Sequence, residues 1–160
     1  MGDRIMSKIQ LVPNAAGTGT FTVESPNSNT NRTFSLPDIT GTAAVLSGAQ
    51  TFTAGQRGEI TSLTDATSIT IDLADSNNFA VTLAGNRTLE TPSNVVAGQC
   101  GSMFIVQDGT GSRTLSFAST YKFIGGTAPT LSTAAGAIDR IDYIVQTSTA
   151  IQCVFTAAYS

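Results

Sequence analysis

The sequence predicts an all-β protein, a jelly-roll-like antiparallel β-sandwich over residues 49–160 preceded by an extended N-terminal arm over residues 1–48. Three observations carry that expectation. From Gly58 onward apolar residues recur at every second position in short runs, the period that turns one face of a strand inward and the other to water. The runs are separated by clusters of Gly, Asn, Asp and Ser, the residues that chain reversals favour. No window of a dozen residues shows capped helical spacing, and Ala134-Ala135-Gly136-Ala137 offers one turn at most.

Before Ser47-Gly48 the chain has little to bury. Gly17-Thr18-Gly19-Thr20 and Ser25-Pro26-Asn27-Ser28-Asn29-Thr30-Asn31 are almost wholly polar and rich in breakers. Two short alternating pieces interrupt them, Thr20 to Glu24 with Phe21 and Val23, and Thr33 to Leu36 with Phe34 and Leu36. A segment this poor in apolar residues cannot form its own core and is expected to gain order against a partner. Phe21, Val23, Phe34 and Leu36 are the candidate contacts of that arm.

The second part predicts eight strands: Glu59 to Leu63, Ser68 to Leu73, Phe79 to Leu83, Arg87 to Glu90, Ser102 to Gln107, Arg113 to Phe117, Arg140 to Gln146 and Ala150 to Thr156. Ile69, Ile71 and Leu73 alternate with polar neighbours, as do Phe79, Val81 and Leu83, then Ile141, Tyr143 and Val145, then Ile151, Cys153 and Phe155. Met103-Phe104-Ile105-Val106 is apolar on both faces and reads as a central strand. Asp108-Gly109 favours a tight hairpin because both residues tolerate positive φ, and Ser76-Asn77-Asn78 and Gly85-Asn86 have the same character. Tyr121-Lys122-Phe123 alternates, which places both rings on one face, in the core. An Arg-Thr-apolar word recurs at Arg32, Arg87 and Arg113; its unequal spacing does not predict a solenoid.

The composition excludes several kinds of chemistry. Among 160 residues there are 25 Thr and 16 Ser but no His, so neither a Ser-His-Asp nor a Cys-His site can be built, nor a histidine-ligated zinc. The lysines, Lys8 and Lys122, stand in no Ser-x-x-Lys spacing. No P-loop lysine follows Gly17-Thr18-Gly19 or Asp108-Gly109-Thr110-Gly111-Ser112. Asp72 and Asp75, and again Asp139 and Asp142, are three apart, so on a strand each pair points to opposite faces; Asp75-Ser76-Asn77 reads as a capped turn rather than a calcium site. No enzyme activity, cofactor or metal is expected. A net charge of −3 with scattered arginines gives no basic stripe for nucleic acid, and no apolar run reaches the length of a membrane span. Met1-Gly2-Asp3-Arg4-Ile5-Met6 lacks the hydrophobic segment of a secretory signal, so folding in a cytosol is expected, with Cys100 and Cys153 as buried free thiols.

Several stretches carry a resemblance. Thr18 to Val23, Asn31-Arg32-Thr33-Phe34-Ser35-Leu36-Pro37-Asp38-Ile39-Thr40-Gly41-Thr42, Gln50 to Glu59, Ala74 to Phe79, Gln107 to Leu115 and Ile138 to Tyr143 resemble modules of tailed-bacteriophage virion proteins, both tail fibres and capsid decoration proteins. The resemblance implies a homotrimeric, non-catalytic structural protein. The chain is short for a fibre with attachment domain, shaft and tip, which favours a capsid decoration (cement) protein made in the bacterial cytoplasm and placed on the capsid surface. Residues 1–48 would then clamp the major capsid protein and stabilise the assembled head. The alternative is a short tail-fibre or receptor-binding tip that attaches to host surface glycans.

Overall fold

The computed structural model describes residues 15–20, 22–24, 27–33, 49 and 51–159. The chain divides into two compact units, residues 1–48 and residues 49–160. In the second unit the strands are β1 (Ile60–Ser62), β2 (Ser68–Ile69), β3 (Asn78–Leu83), β4 (Arg87–Leu89), β5 (Cys100–Gln107), β6 (Leu115–Phe117), β7 (Tyr121–Phe123), β8 (Ile138–Thr147) and β9 (Ala150–Tyr159). A single short 3-10 turn, Ile124–Gly126, is the only helical element among the described residues. The protein is all-β.

Two sheets form, with the orders β1-β3-β5-β8-β9-β7 and β2-β4-β6. From β1 to β6 the chain alternates between them, so each of three successive coils lays one strand in each sheet. The stacked strands are therefore parallel: β1 with β3, β3 with β5, β2 with β4, and β4 with β6. β7 is likewise parallel to β9, and only β5 with β8 and β8 with β9 run antiparallel. This corrects two expectations. An antiparallel jelly roll does not describe the strand pairing, and unequal repeat spacing does not prevent coiling. Ile60 pairs with Asn78, and Asn78 with the more distant Ser102, because the longer second coil places its extra residues in the corner at Thr91 to Gln99.

The turn residues accordingly make corners and not hairpins. At the third corner the Asp108 carboxylate accepts hydrogen bonds from the amides of Thr110 and Gly111, 3.0 and 2.9 Å away. Gly111 takes φ +74° there, with the Thr133 carbonyl lying where a Cβ would stand. The corners also stack. Arg87 on the second reaches Asp65 on the first, Nε to Oδ1 at 2.8 Å, and Thr114 on the third donates its amide to Asn86 Oδ1 at 3.1 Å. The two later Arg-Thr words thus occupy neighbouring coils. Their register is two residues off the sequence echo, Arg87 pairing with Leu115, which keeps Leu89 and Leu115 both inward.

One core lies between the sheets. Ile69, Leu89 and Leu115 of the smaller sheet meet Phe79, Val81, Met103 and Ile105 of the larger, and Ile141, Tyr143, Val145 and Ile151 extend the core beneath the β8–β9 hairpin. Tyr121 is buried as expected, and Phe117 packs edge-on against Phe123 at 4.9 Å between ring centres. Fully burying each such side chain contributes about 1.5–3 kcal/mol. Asp139 is also fully buried. Its carboxylate accepts from the Ser132 amide and hydroxyl, both at 2.7 Å, and from the Ala158 amide at 2.9 Å. Those bonds hold the β9 bulge, where Ala158 adopts φ +60°.

Candidate functional site

The two sheets turn different mixtures of residues outward. On the three-stranded sheet the outward row is Ser68, Thr88 and Ser116, in direct register, with Ser68 Oγ donating to Glu90 at 2.9 Å. That face is hydroxyl-rich and wettable, the disposition that the abundance of Thr and Ser suggests.

The outer face of the six-stranded sheet is different. Registered rows across β3, β5, β8 and β9 place Ala80, Phe104, Arg140 and Thr156 side by side, then Asn78, Ser102, Asp142 and Val154, then Cys100, Ile144 and Gln152 from β5 on. Phe104, Val106 and Ile138 are half-buried, whereas Ile144 is 49% and Val154 53% exposed, well above the core residues they alternate with. Beside Ile144 and Val154 the edge strand β7 and the turn after it contribute Lys122 and Ile124, and these four residues, with Asp142 and Gln152, line a shallow groove of about 490 Å³. An ion pair lies beside the groove. Arg140 Nη2 lies 2.9 Å from Asp142 Oδ2, Ser102 Oγ donates to Asp142 Oδ1 at 2.6 Å, and Arg140 also sits 5.2 Å from the centre of the exposed Tyr159 ring. The sequence marked Met103-Phe104-Ile105-Val106 as apolar on both faces, which is what β5 shows, but it did not announce the exposure of Ile144 and Val154.

The acidic pairs do not converge. Asp139 points into the core and Asp142 onto the outer face, as strand alternation requires. Asp72 is occupied by Asn94, whose amide donates to both carboxylate oxygens at 2.7 and 2.9 Å, and by the Ala74 amide at 2.9 Å; these bonds hold its carboxyl below the usual range. Ser76 donates to the Glu59 carbonyl and Asn77 accepts from Gln99, so Asp75-Ser76-Asn77 is a turn whose polar groups are used in coil stacking. Among the described residues no group of three or more His, Cys, Asp or Glu could hold a metal ion. Among them, too, no helix is long and apolar enough to cross a membrane.

The third corner holds a charge-assisted pair. The Arg113 guanidinium bonded to Asp108, assisted by the Gly111 amide, lowers the Asp108 carboxyl to about 2. The thiols separate: both are free, Cys153 is buried and pushed up to about 12 by that burial, and Cys100 is exposed on the outer face, contrary to the expectation that it is buried. Of the arm residues, Val23 is exposed, and Phe21, Phe34 and Leu36 lie outside the described residues.

The described residues thus form an all-β unit with two sheets, each turning one face outward. The family described as "Putative phage tail fibre C-terminal domain" matches residues 35–146, and the chain belongs to that family; it is a bacteriophage structural protein of the virion. No curated protein and no solved structure matches the chain.

Proposed function

We propose that the chain is the distal, receptor-contacting part of a tail fibre, acting by adhesion without catalysis and assembled as a homotrimer. The single observation carrying this reading is the match of residues 35–146 to a tail-fibre C-terminal domain. It supports the tail over the capsid surface, and so favours a host-surface contact over binding to the major capsid protein.

The hydroxyl row Ser68, Thr88 and Ser116, with Glu90 beside it, supplies donors and acceptors on a rigid pleated surface. That chemistry suits sugar hydroxyls, which exchange one set of hydrogen bonds with water for another at small net gain per bond, about 0.5–1.5 kcal/mol. Weak single contacts become firm attachment when three copies engage one glycan-covered surface together. Residues 1–48 remain the candidate attachment arm, with Phe21, Val23, Phe34 and Leu36 as its apolar contacts.

Purified full chain added to host cells before infection tests this. It is expected to bind the cells, to block adsorption, and to lose binding when surface glycans are oxidised with periodate. Stoichiometric binding to undecorated capsids, with no effect on adsorption, would return the protein to the head.

A further inference from the structure

Residues 59–159 contain four cations, and three of them are used inside the fold. Arg87 pairs with Asp65, Arg113 with Asp108 and Arg140 with Asp142. Lys122 is the fourth, and no carboxylate among the described residues pairs with it; its ammonium donates to the Ser119 carbonyl at 2.5 Å, which leaves two N–H groups for another acceptor. A chain of net charge −3 thus keeps an exposed, uncompensated cation at this point.

Lys122 lines a cleft of about 360 Å³ between the end of β6 and the edge strand β7. Phe117 and Phe123, half-buried and packed edge-on, form its apolar wall, and Ser119, Gly126 and Ala128 complete the lining. No acidic side chain lines it. Gly125 and Gly126 both take left-handed backbone, φ +72° and +75°, with nothing within 4 Å of where a Cβ would stand, so the chain on this side presents bare backbone to solvent. Ser116, the end of the hydroxyl row, directly precedes Phe117, so the row and the cleft adjoin.

We infer that this cleft seats a carboxylate-bearing sugar of the host surface polysaccharide, held by Lys122 through its acid group and by Phe117 and Phe123 through the C–H face of its ring; the inference rests on the receptor-contacting reading of the chain. A pyranose has an apolar C–H face and a polar rim, and a concave site with apolar walls and few polar groups matches that division. The charge decides which sugar. One ammonium suits one carboxylate, whereas a phosphate with its second charge is ordinarily met by an arginine fork, and no arginine lines the cleft. A neutral sugar would leave the charge idle, and an apolar peptide would bury it unpaired. The adjoining hydroxyl row extends the contact to neighbouring sugars of the same polymer.

The experiment measures binding of the full chain to purified host polysaccharide before and after carbodiimide activation and borohydride reduction, which turn the polymer's carboxylates into alcohols. Wild type is expected to bind the reduced polymer at least about tenfold more weakly, the equivalent of ~1.4 kcal/mol. Lys122→Gln keeps a donor for the Ser119 carbonyl and is expected to show that loss already on the native polymer, with no further loss on the reduced one. Lys122→Arg keeps the charge and is expected to retain binding. Ala128→Trp fills the cleft without altering its charge and is expected to weaken binding to both polymers, while Arg57→Gln removes an exposed charge outside the cleft and leaves binding unchanged. Urea midpoints equal to that of wild type show that the variants are folded.

Native and reduced polymer bound alike by wild type overturns the inference and leaves the receptor-contacting reading intact; if Lys122→Gln still weakens both, the lysine serves a phosphate group instead. Unchanged binding by Ala128→Trp overturns the placement in this cleft. A chain that binds neither polymer and fails to block adsorption overturns the receptor-contacting reading itself, and the inference with it.

Discussion

At the scale of single residues, the fold depends on a few positions where backbone approaches backbone. Gly101 is the tightest. A Cβ there would stand on the Asn77 carbonyl, which already accepts from the Ser102 amide at 3.2 Å and the Tyr143 hydroxyl at 2.9 Å. Gly101→Ala must push β5 away from the preceding corner and is expected to cost about 1–3 kcal/mol, as overpacking does. Urea unfolding measures it, and an unchanged midpoint would mean that the corner yields freely. Asp108 sets a pH dependence. Its folded carboxyl sits at about 2, below the usual 3.8, so its stabilisation is complete above pH 4 and is lost as pH falls towards 2. The wild type should therefore lose more stability between pH 4 and pH 2 than Asp108→Asn, compared by urea midpoints at the two pH values; equal slopes would contradict the Arg113 pairing. Little of this was legible in the sequence. Asp108-Gly109 announced a turn, and the same positive-φ tolerance serves a hairpin or a corner equally well.

At the scale of elements, alternation told where strands lie but not which strands pair. Ile69 stood in an alternating run, but that it is buried beside Leu89 and Leu115 follows only from successive coils returning to the same sheet, and unequal corners hide that return. Among the described residues the one hairpin, β8 to β9, closes over Ser148 and Thr149 without an Asn-Gly or Asp-Gly signal. β7 escaped as a strand although Tyr121 and Phe123 showed its alternation, since three residues are too few for periodicity to decide. Asp139 explains how the last strand is fastened: one buried carboxylate takes three donors from the Ser132 segment and the β9 bulge. Asp139→Ala leaves those donors without their acceptor and is expected to cost about 3 kcal/mol. Hydrogen exchange should show the Ala158 and Ser132 amides losing protection first; uniform loss across both sheets would show instead that the carboxylate supports the whole core.

At the scale of the whole molecule, the absence of histidine and the abundance of Thr and Ser directed the reading towards a structural role. Resemblance then brought it to the phage virion, and the tail-fibre family match sharpened that position. Shortness of the chain had favoured the capsid surface. It is a weak guide, because length alone does not distinguish a head ornament from the end of a fibre. The most direct measurement of the central claim is localisation on intact particles by electron microscopy, with gold-labelled antibodies raised against the purified chain. Label at the distal end of the tail is the result expected, and label distributed over the head would contradict the account.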